Sequence, residues 1–383
     1  MVDRTTRLGA LVALVCATAL AACSGRDIDA VLMLEDVVAG ERSSWLKRLT
    51  DRPTRRPIAY HRGGRRYRAD LYRPGPAQAR RSKPTLVLVP GAAPRGRDDP
   101  RLRALAGTFA RLGFEVLVPE IPSLRRLRVR ATDVRHIADA IGYAGSRPGA
   151  AGGSAIGVLA ISYSVGPAVL AALETDVRDK VGFVVGIGGY YDLTAVVTFF
   201  TTGRYRSGPR APWRFRAPNP YGKWVFALSN ADFIESARDR VNLRAIALRK
   251  RQDPNARIAD LVTQLGPEGA RVYALIVNRD AARVPALLAG LPAPALREFR
   301  ALDLAGKDFR GLRARLILIH GRDDPIVPHT ESAKLAQAVG KERASLFIVR
   351  SLAHVTFARL DTSDLSVLLR AARAILAMRD RAR

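Results

Sequence analysis

At 383 residues and 48% hydrophobic content, the chain can bury a sizeable core, which excludes a disordered polymer. It carries 63 Lys and Arg against 35 Asp and Glu, a formal net charge of +28. The positive charge is spread along the sequence, and clusters such as Arg125, Arg126, Arg128 and Arg130 bring no aromatic-studded sheet or reading helix, so nucleic acid is not the expected partner. The alternatives are an Arg-biased composition that leaves a solvated basic surface, and a basic body attracted to anionic lipid head groups.

The N-terminus opens with Arg4 and Arg7, followed by the apolar run Leu8 to Leu20. A membrane-crossing helix needs about 20 apolar residues, so this shorter run reads as the hydrophobic part of a signal peptide. It ends in Leu20-Ala21-Ala22-Cys23-Ser24. That segment resembles the lipobox of bacterial lipoproteins. The resemblance implies that residues 1–22 are removed and that Cys23 is lipidated and becomes the first residue. It also implies an exported, lipid-anchored protein of the cell envelope, in the periplasm-facing outer-membrane leaflet if the envelope is Gram-negative, because Ser24 is not Asp. The other cysteine, Cys16, lies within the removed part, so the mature body is expected to hold no disulfide, Cys-based zinc site or catalytic thiol.

From Asp27 to Leu49 the apolar spacing of Ile28, Val31, Leu32, Leu34, Val37 and Val38 predicts a short amphipathic helix, with Trp45 and Leu46 following. Pro57 to Tyr72 reads as a hairpin turning at Gly63-Gly64, and Pro74 to Lys83 as a polar loop. Thr85 to Val89 is a continuous apolar run, the pattern of a strand buried on both faces. Asp99-Pro100 supplies a cap and a first-turn proline for a helix ending at Gly113. Strands are expected at 115–118, 156–161, 181–187, 316–319 and 346–349, and helices at 132–143, 166–173, 331–339 and 365–378. Such alternation predicts a mostly parallel sheet covered on both faces. Tyr190 to Arg313 breaks the rhythm with helical periodicity, several prolines and the aromatics Phe199, Phe200, Trp213, Phe215, Tyr221, Trp224 and Phe226. It is expected to be an inserted helical cap. Its aromatics either pack its own core or line a pocket.

The chemistry centres on Ile161-Ser162-Tyr163-Ser164-Val165-Gly166, between an apolar strand and an apolar helix. A tight turn there would need small residues two before and two after a nucleophile, with Ser162 in the place of the usual first glycine and Ser164 as the nucleophile. Ser164 would lie at a helix N-terminus, with the Val165 N–H aimed at a developing oxyanion. The stretch Leu316 to Ile319 leads into His320-Gly321-Arg322-Asp323-Asp324-Pro325-Ile326-Val327-Pro328, and Leu346 to Val349 leads to His354. Behind the first strand, Pro90-Gly91-Ala92 offers the Ala92 N–H as a second oxyanion donor.

In their order these motifs resemble the α/β-hydrolase superfamily from about Ile58 to Met378. The resemblance implies a triad of Ser164, Asp324 and His354 in the chain order Ser, Asp, His, with Asp323 as the non-catalytic neighbour. Ala353 stands where many relatives have a glycine. The implied reaction is hydrolysis through an acyl-enzyme with no cofactor and no metal. The expected organisation is a signal peptide (1–22), a tether and N-terminal helix (23–54), a hydrolase core in two parts (55–189 and 314–383) and the cap (190–313). The expected substrate is a small-molecule or lipid ester. A peptidase or acyltransferase on the same triad, and an inactive envelope scaffold, are the alternatives. Asp192 is expected to be a helix cap or a substrate-loop residue, with the role of alternative acid a weaker reading, and the glycine-rich stretch from Gly149 to Gly157 is expected to be a loop, since it lacks the Lys-Ser/Thr ending of a phosphate cradle.

Overall fold

The computed structural model describes residues 24–79, 84–147, 156–350, 352–354, 356–357 and 362–381. The leader, Cys23 and most of the glycine-rich stretch before Ile156 lie outside the described residues. Helices α1 (Gly25–Ala39) and α2 (Trp45–Leu49) come first. They take the place of the single amphipathic helix expected there, because Gly40 at positive φ ends α1. Strands β1 (Thr54–Arg62) and β2 (Arg65–Arg73) form the predicted hairpin. Then follow β3 (Thr85–Val89), α3 (Pro100–Arg111), β4 (Glu115–Pro119), α4 (Thr132–Gly145), β5 (Ile156–Ile161), α5 (Val165–Ala171) and β6 (Val181–Ile187).

Between β6 and the next strand of the main sheet lie α6 (Leu193–Thr202), a small ribbon of β7 (Arg204–Tyr205) and β8 (Arg214–Phe215), α7 (Tyr221–Ala231), α8 (Ala237–Gln252), α9 (Pro267–Val277), α10 (Val284–Ala289) and α11 (Ala293–Leu302). The chain closes with β9 (Arg315–Gly321), α12 (His329–Val339), β10 (Ala344–Val349) and α13 (Thr362–Arg381).

The eight-stranded sheet has the order β1-β2-β4-β3-β5-β6-β9-β10. β2 is antiparallel to β1 and β4, and the other pairings are parallel. This is the α/β-hydrolase fold. Alternate residues of each strand feed two cores. Leu86 and Leu88 face α1, α3 and α13, whereas Val87 and Val89 face α4, α5 and the inserted helices. Both sets are fully buried, which is why β3 reads as an unbroken apolar run. Local chemistry sets the helix ends. Asp99 caps α3 by accepting from the Arg101 N–H at 3.0 Å, as the sequence predicted, and Asp192 caps α6 by accepting from the Ala195 N–H at 3.0 Å, one of the two roles the sequence offered for it. Because β3, β5, β6, β9 and β10 run the same way, their C-terminal ends share one edge, and the motif loops collect there.

Candidate active site

β5 ends at Ile161, and the chain turns at once through Ser162 into α5. Ser162 has φ 59°, the left-handed region that an L-residue seldom occupies. That strained turn lifts the Ser162 side chain out of the strand end, and its Oγ lies 2.7 Å from His354 Nε2. His354 Nδ1 lies 2.7 Å from Asp324 Oδ2. His354 is itself at φ 58°, the second strained residue of the site. Gly188, at φ 66°, passes close by: a Cβ there would sit 3.3 Å from His354 Nδ1 and 3.5 Å from Asp324 Oδ2.

Asp324 and His354 therefore meet as the sequence predicted, but Ser164 does not join them. Ser164 is fully buried, donates to the Ile161 carbonyl at 2.8 Å and accepts from the Ile161 N–H at 3.0 Å. It ties the elbow shut from behind. Val165 does not serve as oxyanion donor either, since its N–H already bonds the Ser162 carbonyl. The residue after Ser162 is Tyr163, whose N–H belongs to the first, unpaired turn of a helix. The sequence permits two registers of the small-x-Ser-x-small pattern. Gly166 favoured the wrong one, but its small size serves packing: a side chain there would strike the Tyr190 ring. In the observed register Ala160 and Ser164 are the small flanking residues. The usable signal was the strand end, because the elbow residue directly follows the last strand residue.

Ala92 follows β3 in the loop beside the elbow. Gly91 packs on the elbow, with its Cβ position 3.3 Å from the Ile161 carbonyl and 3.7 Å from Ser162 Cβ. Among the described residues the Ala92 N–H has no hydrogen-bond partner, and the Ala92 carbonyl accepts from the Tyr221 hydroxyl of α7 at 2.7 Å. Sequence reasoning gave Tyr221 no such role.

Asp324 is almost fully buried. Burial pushes its pKa up, but hydrogen bonds from His320 and His354 outweigh that and hold it well below the usual carboxylate range. Its other oxygen accepts from the Ile326 and Val327 N–H groups at 2.7 and 3.0 Å. His320 was missed as a site residue. Its Nε2 lies 3.3 Å from Asp324 Oδ2 and 2.9 Å from the Val327 carbonyl, and its Nδ1 lies 2.7 Å from Ser332 Oγ. A carbonyl only accepts, so Nε2 carries a proton. The signal was present in the sequence as a His four residues before the acid. Asp323 points away and pairs with Arg216, as its assignment as a bystander requires.

Beside the elbow, Tyr163 faces a cavity of about 80 Å³ lined mainly by Leu193, Val196, Phe200, Phe226, Phe233 and Phe299. Of the aromatics singled out in the insertion, Phe200 and Phe226 line it, Phe199 and Trp224 are packed inside, and Trp213 and Phe215 are exposed. Burial pushes the Tyr163 phenol far up, and among the described residues its hydroxyl has no hydrogen-bond partner.

No family profile matches the chain, and no curated protein matches it. Solved structures with similar folds include a puromycin-hydrolysing peptidase of Mycobacterium tuberculosis, at 16% identity and TM-score 0.47 over 86% of this chain and 39% of the peptidase. A dienelactone hydrolase of Anabaena variabilis matches at 13% identity and TM-score 0.41, over 85% of this chain and 97% of its own. A 2,6-dihydroxy-pseudo-oxynicotine hydrolase matches at 13% identity and TM-score 0.46, over 85% and 69%. The chain spans about two fifths of the length of the peptidase it matches. At such identities the likeness is one of fold, and the chemistry of the site has to be argued from its own geometry.

Proposed function

We propose that the protein is a serine hydrolase that cleaves an ester through an acyl-enzyme on Ser162. The observation that carries this reading is the continuous relay Ser162 Oγ–His354 Nε2–His354 Nδ1–Asp324 Oδ2, both links at 2.7 Å. An ionised carboxylate only accepts, so His354 Nδ1 carries the proton and Nε2 is left free to accept from Ser162. Ser162 Oγ attacks the acyl carbonyl carbon as Nε2 takes its proton, and Asp324 stabilises the imidazolium. The N–H groups of Tyr163 and Ala92 receive the oxyanion. The same proton then passes to the leaving alcohol as the C–O bond breaks. Water, deprotonated by His354, releases the acid and restores Ser162.

An apolar acyl group suits the cavity beside Tyr163, whose walls are mainly aliphatic and aromatic, with Arg130, Ser229, Asn230 and Glu298 also among them. This favours an ester with an apolar acyl chain over a peptide. In the test, a fluorophosphonate labels the folded protein, and mass spectrometry of the digest locates the adduct. The expected site is Ser162, with labelling and p-nitrophenyl ester hydrolysis abolished in Ser162→Ala. An adduct on Ser164 would overturn the assignment. A panel of esters, thioesters and peptide amides then separates esterase from peptidase, since faster turnover of the amides would reverse the substrate class.

The lipid anchor is part of the same proposal. It is supported by the Leu20 to Ser24 segment and by the start of α1 at Gly25, directly after the proposed attachment point. Intact-mass analysis of protein from its native envelope should show a diacylglyceryl-sized addition on a chain beginning at Cys23.

A further inference from the structure

The β7–β8 ribbon stands at the catalytic edge, and neither the relay nor the fold accounts for its surface. Its root is fixed to the acid loop. The Arg216 guanidinium donates to the Arg322 carbonyl at 3.0 Å and pairs with Asp323, and the Asn219 N–H donates to the Pro325 carbonyl at 2.7 Å. Tyr205 turns inward, edge-on to Phe199 and His329. The opposite face points to solvent. Arg204 pairs across the ribbon with Phe215, so these two share that face, and Trp213, two residues before Phe215, shares it too. Arg206 lies over the Trp213 ring at 4.4 Å. Phe215 is 69% exposed and Trp213 42%.

Charge gives this face its partner. From Leu193 to Ala231 the chain has no acidic residue, while Arg204, Arg206, Arg210, Arg214, Arg216 and Lys223 are all basic. Among the described residues no ion pair engages Arg204, Arg210 or Arg214. Large exposed rings set among unpaired arginines match a surface that is anionic outside and apolar beneath. Tryptophan and phenylalanine sit at the headgroup level of a bilayer while arginine meets the phosphates.

We propose that the β7–β8 ribbon is a docking element for an anionic phospholipid bilayer, with Trp213 and Phe215 entering the headgroup region and Arg204 and Arg206 meeting lipid phosphates. It holds the catalytic edge against lipid, and it does so whatever bond Ser162 cleaves.

The test uses the chain from Ser24, which contains every core residue described above, so that neither leader nor anchor contributes. It is mixed with vesicles of phosphatidylglycerol and phosphatidylcholine, or of phosphatidylcholine alone, some with brominated acyl chains. The expected results are flotation with the anionic vesicles only, loss of flotation at high salt, and bromine quenching of tryptophan emission that disappears in Trp213→Phe. Trp213→Ala with Phe215→Ala, and separately Arg204→Ser with Arg206→Ser, should each weaken partitioning ~10-fold or more. Unchanged circular dichroism and fluorophosphonate labelling would show that these variants are folded. Equal binding to neutral vesicles, or quenching that persists in Trp213→Phe, would overturn the proposal. So would concentration-dependent dimerisation through the ribbon with no vesicle binding, which would make the occupant a second copy.

Discussion

Ser162 and Ser164 are two residues apart and have opposite assignments: one is held in a strained conformation facing an imidazole, the other is locked in the core. Ser162→Ala should therefore abolish turnover with little loss of stability. Ser164→Ala should keep fluorophosphonate labelling while losing ~1–3 kcal/mol of stability, because it leaves the Ile161 backbone groups unpaired behind the elbow. Chemical denaturation of both variants beside the labelling assay separates the two roles. Asp324 sets the tautomer of His354, so Asp324→Asn should lower kcat by on the order of 10³–10⁴ with the fold intact. Its depressed pKa also fixes a sign. The stability it contributes is present above the ordinary carboxylate range, about pH 4, and is lost as pH falls below that towards its folded value. Loss of activity between pH 5 and 7 would accordingly report another group. In the sequence, the acid and the base were legible as residues because each follows a strand in a distinctive segment. The nucleophile was not, because two serines satisfy the same spacing and only the strand end, with the backbone at φ 59°, separates them.

At the scale of elements, the helix α7 of the insertion reaches the oxyanion loop through one bond, Tyr221 hydroxyl to Ala92 carbonyl. Tyr221→Phe removes that bond and keeps the ring. Its loss frees the peptide that carries the proposed oxyanion donor, so kcat should fall ~3–10-fold while KM changes little. Equal kcat in a steady-state assay would show that the loop holds itself. At the start of α4, Asp133 is fully buried, and burial pushes its pKa up to about 6 despite hydrogen bonds from Ser123 and the Arg130 N–H. A raised carboxylate pKa means that the folded state holds the proton more tightly, so this group's contribution falls as pH rises from about 4 to about 6, by at most ~3 kcal/mol. Asp133→Asn should flatten that decline. The stability of the variant relative to wild type, measured by urea unfolding, should rise across that interval.

For the whole molecule, topology sets where an anchor would lie relative to the chemistry. Arg379, near the end of α13, bonds the Leu112 carbonyl, just before β4 begins, and Asp29 in α1. The first turns of α1 thus sit at the edge where the parallel strands start, and Ser162 sits where they end. At ~3.3 Å per residue the strands separate the two by about 20 Å. A lipid on Cys23 would not by itself cover the relay; in the proposal above the ribbon, not the anchor, brings that edge to the bilayer. Cys23→Ser is therefore expected to leave the protein bound to anionic membranes only until a high-salt wash, which would move it to the soluble fraction, while changing kcat/KM on a short soluble ester by less than about twofold.

By itself, the sequence determined the elements and their order. Continuous apolar runs, Asp and Pro caps and glycine stops are local signals, and they were enough for the parallel sheet, the interruption after β6, the acid segment and the base. Which serine meets His354 and that His320 also lies against Asp324 were hinted at by the strand end and by a His four residues before the acid and settled in the fold, whereas tertiary structure alone decided that Tyr221 braces the Ala92 loop and that Trp213 and Phe215 face solvent while Phe200 and Phe226 line a cavity. These contacts join residues far apart in the chain, and they depend on side-chain direction at strand ends and in an irregular insertion, where periodicity carries no signal.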